Sequence, residues 1–132
     1  RSAGYGAQSL TEQIDRADRH VTIIAQIEDA DALDQAEAIC ATPGLDAIFI
    51  GRSDLTVSMG QMDRNAPVVT DAVIRVVSLA QAQGKAVGTF VATPAEIPFW
   101  RDHGIHFFLM GSDIGLLVAG ANGLAKEIRK QA

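Results

Sequence analysis

Four short runs of almost unbroken apolar residues limit what this chain can fold into: Val21 to Glu28, Ala47 to Gly51, Ala86 to Val91 and Ile105 to Gly111. A strand with one wet face alternates apolar and polar residues, whereas a strand covered on both faces reads as a continuous apolar run. The segments between the runs carry helical spacing, as in Leu33, Ala36, Ile39 and Cys40, or Val69, Ala72, Val73, Val76, Val77 and Ala80. Strand and helix alternating from end to end predict an α/β fold built on a parallel sheet. At 132 residues the chain is long enough for one domain, spanning 1–132, with a substantial core.

Local signals set the expected boundaries. Ser9-Leu10-Thr11-Glu12 has the form of a capping box, opening a helix that runs to Ala17 or Arg19. Ala32 to Ala41 reads as one helix ended by Thr42-Pro43-Gly44, and Ser53 to Gly60 as a single short helical turn before a polar loop from Gln61 to Ala66. Pro67 to Gln83 is helical, with Gly84 just past its end. Thr93-Pro94-Ala95-Glu96 combines an N-cap, Pro at the first helical position and Glu at the third, for a helix reaching about His103. Ile114 to Lys130 forms the last helix. Two architectures fit these four βα units: a small doubly wound sheet, or half of a (β/α)8 barrel. The half barrel leaves open strand edges and needs a complement from further sequence or a second chain.

Two of the strands end in carboxylates. Glu28 closes Ile23-Ile24-Ala25-Gln26-Ile27-Glu28, and Asp54 follows Ile50-Gly51-Arg52-Ser53. Ligands of parallel α/β folds bind at the C-terminal edge of the sheet. Two hard oxygen ligands on neighbouring strands suit Mg²⁺ or Mn²⁺. Alone, Glu28 serves equally well as a cap or ion-pair partner, and Asp54 as an N-cap; the pair across one βα unit favours a metal. No Lys stands at a strand end, which leaves no support for Schiff-base chemistry.

Composition removes several classes. The net charge of −5 is mild and mixed in sign, without a Lys/Arg cluster, so neither nucleic acid nor an anionic membrane is an expected partner. No apolar run is long enough to span a bilayer. Cys40, the only cysteine, falls in a helical apolar pattern and reads as a small buried hydrophobe; intrachain disulfides are excluded and a cytoplasmic location is expected. The chain opens on Arg1 rather than Met and lacks the layout of a signal peptide, so it reads as the middle of a longer polypeptide. His20, His103 and His106 are not spaced as a metal cluster, and Gly4-Tyr5-Gly6 is a weak phosphate-loop signal. Phe99 and Trp100 read as helix packing and Asp113 as the N-cap of the last helix. Ile114-Gly115-Leu116-Leu117-Val118-Ala119 is more apolar than one barrel face needs, fitting either a subunit contact or a fully buried terminal helix.

Gln26-Ile27-Glu28, followed by Pro43-Gly44-Leu45-Asp46-Ala47-Ile48-Phe49-Ile50-Gly51-Arg52-Ser53-Asp54-Leu55, resembles the HpcH/HpaI class II aldolases. Gly84-Lys85, Gly104 and Phe108-Leu109-Met110-Gly111-Ser112-Asp113 match in order. The resemblance covers nearly the whole chain and implies strands five to eight of a (β/α)8 TIM barrel. It also implies a metal-dependent aldolase that cleaves or forms 2-keto-3-deoxy (4-hydroxy-2-oxo) acids, giving pyruvate plus an aldehyde through a metal-stabilised pyruvate enolate. By this resemblance Glu28 and Asp54 hold the divalent ion (Mg²⁺, Mn²⁺ or Co²⁺) and Gln26 helps bind substrate. Backbone N–H groups of Ser53 and Asp54 take the pyruvate carboxylate, Gly51 gives close backbone access, and Phe90 lines the pocket. The family's His and Arg come from the first half of the barrel and lie outside this chain. Family members often exchange the last helix and form hexamers, so a homo-oligomer is expected. Where the family commonly has Pro, this chain has Arg52, which adds a charge at the pocket rim or points to solvent. Two other readings stand beside this one: an acyl-CoA lyase of the citrate lyase β type, and a truncated, non-catalytic half barrel that needs a partner chain.

Overall fold

A computed structural model describes residues 8–131; the Gly4-Tyr5-Gly6 signal lies outside them. Four strands, β1 (Ile24–Ile27), β2 (Ala47–Ile50), β3 (Ala86–Val91) and β4 (Phe107–Met110), form one sheet in the order β1-β2-β3-β4. Every pair is parallel. A doubly wound sheet reverses its strand order at a switch point. Here each unit simply adds to the same side of the last, which is the arrangement of half a (β/α)8 barrel. The outer edges of β1 and β4 have no strand partner among the described residues.

Among the described residues, seven α-helices accompany the strands: α1 (Leu10–His20), α2 (Ala30–Asp34), α3 (Ala36–Ala41), α4 (Arg52–Ser58), α5 (Pro67–Ala82), α6 (Ile97–Asp102) and α7 (Asp113–Gln131). The capping box at Ser9 and Glu12 is present and opens α1 as expected. The single helix expected over Ala32 to Ala41 is two pieces. Gln35 leaves helical geometry at φ −97°, ψ 9°, and Asp29 caps the first piece through its bond from the Ala32 N–H at 2.7 Å. The turn expected after β2 is longer, a seven-residue helix that starts at Arg52. Pro94–Glu96 is a 3₁₀ turn leading into α6 rather than its first turn, with Pro98 near the start of α6 where its missing N–H costs little. The cap of α7 is Ser112, whose Oγ accepts from the Gly115 N–H at 3.0 Å; Asp113 sits in the first turn.

The core lies between one face of the sheet and the helices behind it. Val69, Ala72, Val73, Val76, Val77 and Ala80 recur at helical spacing on α5, and all are buried. They meet Ile48 and Ile50 of β2, Val87 and Val91 of β3, and Leu33, Ala36 and Cys40 of α2 and α3. Burial raises the Cys40 thiol pKa, partly offset by the nearby Lys85 charge, so the cysteine behaves as the inert hydrophobe expected.

The other face of the sheet is different. The register sets Gln26, Phe49, Gly88 and Phe107 side by side across the strands. This row points where the interior of a closed barrel would be. Ile24, Phe90 and Leu109 on the same face stay substantially exposed, at 46%, 38% and 56%. The last helix is more open still. None of α7's described residues is buried, and Ile114, Leu116 and Leu117 are each at least 70% exposed. Within this chain, α7 is therefore not the buried terminal helix that its composition also allowed.

Gly88 makes the inward row possible. A Cβ there would collide with the Phe107 ring, which lies across it while packing at 5.9 Å between centroids from Phe49. Overpacking of a filled site costs roughly 1–3 kcal/mol. Gly88→Ala is expected to lower the unfolding free energy by about that much, read from the urea midpoint at unchanged slope.

Candidate active site

The parallel register fixes the site. Ile27 pairs with Ile50, and the Gly51 N–H donates to the Ile27 carbonyl at 3.0 Å. The chain thus leaves β1 at Glu28 directly beside Gly51 at the start of α4. A Cβ on Gly51 would meet Glu28 Cβ at 2.8 Å and Gln26 Nε2 at 3.0 Å. The missing side chain is the space in which Glu28 and Gln26 lie against the backbone of the second loop. Gln26 Nε2 donates to Glu28 Oε2.

Gln26, Gly51, Ser53, Asp54 and Phe90 line one open recess of about 170 Å³ at the C-terminal edge of the sheet. Phe49, Arg52 and Arg64 complete its wall. Glu28 is not among the lining residues; it lies against Gly51, and its carboxylate accepts from Gln26. Of the residues expected to bind substrate or metal, Gln26, Gly51, Ser53, Asp54 and Phe90 share this recess, and Glu28 adjoins it through its contacts with Gln26 and Gly51. The competing structural roles are taken by others. Asp29, not Glu28, caps α2. Asp54 is the third residue of α4 and exposed, and no side chain caps that helix. Among the described residues no three His, Cys, Asp or Glu side chains converge as a ready-made metal cage, so any ion here rests on the Glu28 and Asp54 pair with open positions left over.

Arg52 corrects the sequence reading. It borders the recess but does not point to solvent: its side chain is 2% exposed. Nη2 donates to Glu96 Oε2 at 2.7 Å, and the guanidinium carbon stands 4.5 Å from the centre of the Trp100 ring. Nε and Nη1 are buried without a hydrogen-bond partner among the described residues. The ring face takes up part of that deficit, since a desolvated cation–π contact contributes on the order of 2 kcal/mol. Burial lowers the pKa of Arg52, opposed by the Glu96 bond and charge.

Glu96 is the second residue that the sequence concealed. It fulfils the expected capping role, accepting from the Thr93 N–H at 3.3 Å. The same carboxylate also accepts from the Ala92 N–H at 3.0 Å and from Arg64 Nη2 at 3.1 Å. One acid thus joins the start of α4, the loop after α4 and the loop after β3. Burial pushes its pKa up, but the Arg52 and Ala92 hydrogen bonds and the two arginine charges outweigh that and hold it below the usual carboxylate value.

The chain belongs to the HpcH/HpaI aldolase/citrate lyase family, whose model matches residues 5–119. It is 34% identical to a hydroxypyruvate/pyruvate aldolase of Paraburkholderia phytofirmans, over 98% of this chain and 49% of that protein. It is likewise 34% identical to a 5-keto-4-deoxy-D-glucarate aldolase of Salmonella arizonae, over 87% of this chain and 45% of the relative. A crystal structure of an HpcH/HpaI aldolase/citrate lyase family protein from Burkholderia cenocepacia superposes with a TM-score of 0.85 at 31% identity, covering 96% of this chain and 49% of the other. The chain spans about half the length of the curated relatives it matches.

The depressed Glu96 pKa fixes a sign. A carboxyl more acidic folded than unfolded adds stability that is complete above its unfolded pKa, near 4.3, and is lost as pH falls through the folded value. Glu96→Gln is expected to remove that part of the acid limb, so the difference in urea midpoint between parent and variant should shrink as pH drops below about 4.

Proposed function

We propose that this chain carries the metal-holding half of a divalent-metal-dependent pyruvate aldolase, one that cleaves or forms 4-hydroxy-2-oxo acids of the 2-keto-3-deoxy type. The observation that carries the reading is the parallel register that puts Glu28 against Gly51, three residues before Asp54 in the first turn of α4, with Gln26 and Asp54 lining the same recess. Aldolase-named relatives at 34% identity support the reaction class.

The residues fit a hard cation. Both candidate ligands are carboxylates, neither is spent on a helix cap, and Gln26 uses only one Glu28 oxygen as acceptor. Mg²⁺, Mn²⁺ or Co²⁺ held there supplies Lewis acidity to the keto oxygen, lowering the cost of the enolate formed as the C–C bond breaks. The chain's own groups do the binding. Ser53 and Asp54 lie in the first turn of α4, whose N–H groups have no helical partner and are free for a carboxylate. Phe90 closes one side of the recess with an apolar wall, and Gln26 holds Glu28 in place while its amide borders the same space.

The exposed inner face and the unpaired edges of β1 and β4 support a second element of the reading: full activity needs the other half of the barrel, from the same polypeptide or a partner chain. The apolar residues displayed by α7 suit a homo-oligomer, for which a hexamer is the family precedent. A cytoplasmic location remains part of the proposal. A CoA-thioester lyase is the competing chemistry; turnover of thioesters with free keto acids inert would replace the aldolase assignment.

Titration with Mn²⁺, followed by the electron paramagnetic resonance of the free ion, tests the site. Substitutions beside metal ligands typically cost 10–100-fold in affinity. Glu28→Gln and Asp54→Asn should each weaken Mn²⁺ binding by at least about tenfold. Unchanged affinity in both would remove the metal site from the proposal.

A further inference from the structure

We infer that Arg52 is a positioning residue, whose pairing with Glu96 and stacking on Trp100 fix the first turn of α4, and with it Asp54 and Ser53, at the mouth of the recess. The inference rests on the aldolase reading for its consequence in substrate binding, but not for its structural content.

Arg52 is the first residue of α4, and no side chain caps that helix. A helix this short has little intrinsic stability and depends on tertiary anchors. Most of its length offers few: Ser53, Asp54, Val57 and Ser58 are exposed. Leu55 and Thr56 bury its middle, and Thr56 Oγ1 donates back to the Arg52 carbonyl at 2.6 Å. The turn's N-terminal end is held at the backbone by the Gly51 N–H bond to the Ile27 carbonyl, and beyond it by the Arg52 side chain, through a 2.7 Å bond to an acid on the next βα unit and an aromatic face at 4.5 Å. Glu96 is itself held by the Ala92 and Thr93 N–H groups, so the anchor is tied to backbone at both ends.

Burying a guanidinium is costly, and two of its nitrogens find no acceptor among the described residues. Replacing a buried ion pair by apolar groups of similar volume is often neutral or stabilising. General stability is therefore a poor reason for Arg at this position. Orientation is a better one, because the two residues that follow carry the candidate metal ligand and the candidate carboxylate-binding N–H groups.

The test uses Arg52→Met, which fills the space without the charge, and Arg52→Pro, which fixes φ near −65° at the first helical position by covalent means. The structural readout is hydrogen exchange at the Leu55 amide, which donates to the Gly51 carbonyl at 3.0 Å and closes this turn. The functional readout is Mn²⁺-dependent pyruvate affinity. In Arg52→Met, Leu55 exchange is expected to rise about tenfold while the α5 amides stay unchanged, and pyruvate affinity to fall about tenfold. Arg52→Pro is expected to bring both back to within about threefold of the parent. Glu96→Gln should shift both readouts the same way as Arg52→Met, and it carries the test if that variant fails to fold. Unchanged exchange in Arg52→Met overturns the inference. Failure of Arg52→Pro to restore a lost affinity also overturns it, since the guanidinium would then act by some route other than holding the turn. The expected exchange pattern without pyruvate binding in any form, parent included, upholds the positioning role and removes pyruvate binding by this half alone from the proposed function.

Discussion

The register between β1 and β2 is the constraint on which the rest of the site depends. Ile27 opposite Ile50 places Glu28 against Gly51 and starts α4 at the correct height above the sheet. Side chains alternate across a sheet, so a slip of one residue would turn Gln26 into the helix layer and Ile27 into the recess. Burial forbids the slip. Ile27, Ile48 and Ile50 are fully enclosed by the helix layer, and exchanging them with Gln26 would strand a polar amide in the core. The packing of α5 behind the sheet is in this sense the reason that Glu28 and the first turn of α4 stand side by side at its edge.

The two faces of the sheet are finished to different degrees. The helix-facing side is a closed core of Ile, Val, Ala and Leu, with Cys40 as a small filler. The inner side presents the row Gln26, Phe49, Gly88 and Phe107, then ends in exposed Phe90 and Leu109. Two edges without a strand partner among the described residues, and an α7 with no buried residue among them, belong with that unfinished face. The half-length match to the curated relatives supplies a consistent frame: the inner face and strand edges left uncovered here are those that the rest of a (β/α)8 barrel would meet.

Much of this was legible in the sequence, for physical reasons that also explain what was not. β3 falls where its apolar run begins and ends, because Gly84 and Thr93 punctuate it on either side. β1 and β4 are shorter than their runs, since Val21 to Ile23 and Ile105 to His106 lie ahead of the ladder that pairs them. The strand order needed the structure, because a half barrel and a doubly wound sheet share one local pattern. Glu28 and Asp54 could be proposed as a pair because strand ends converge in any parallel sheet, whereas Gln26, Gly51, Ser53 and Phe90 rested on the family resemblance. The Arg52–Glu96 pair could not, as 44 residues separate its members and Glu96 already had a sufficient local explanation as a capping-box acid. Reading a charged residue at a rim as solvated is the normal expectation. It failed here because Trp100, itself taken as plain packing, offers an aromatic face in which a guanidinium can be buried.

Trp100 is the only tryptophan in the chain, and its indole is buried with the Arg52 guanidinium over one face and Phe99 at its edge. An indole's emission responds to the charge and polarity next to its ring. The chain thus holds a single intrinsic fluorophore a few ångströms from the tether of its candidate ligand loop. Any event that loosens or tightens that tether is reported optically, without a label and without interference from a second chromophore of the same kind.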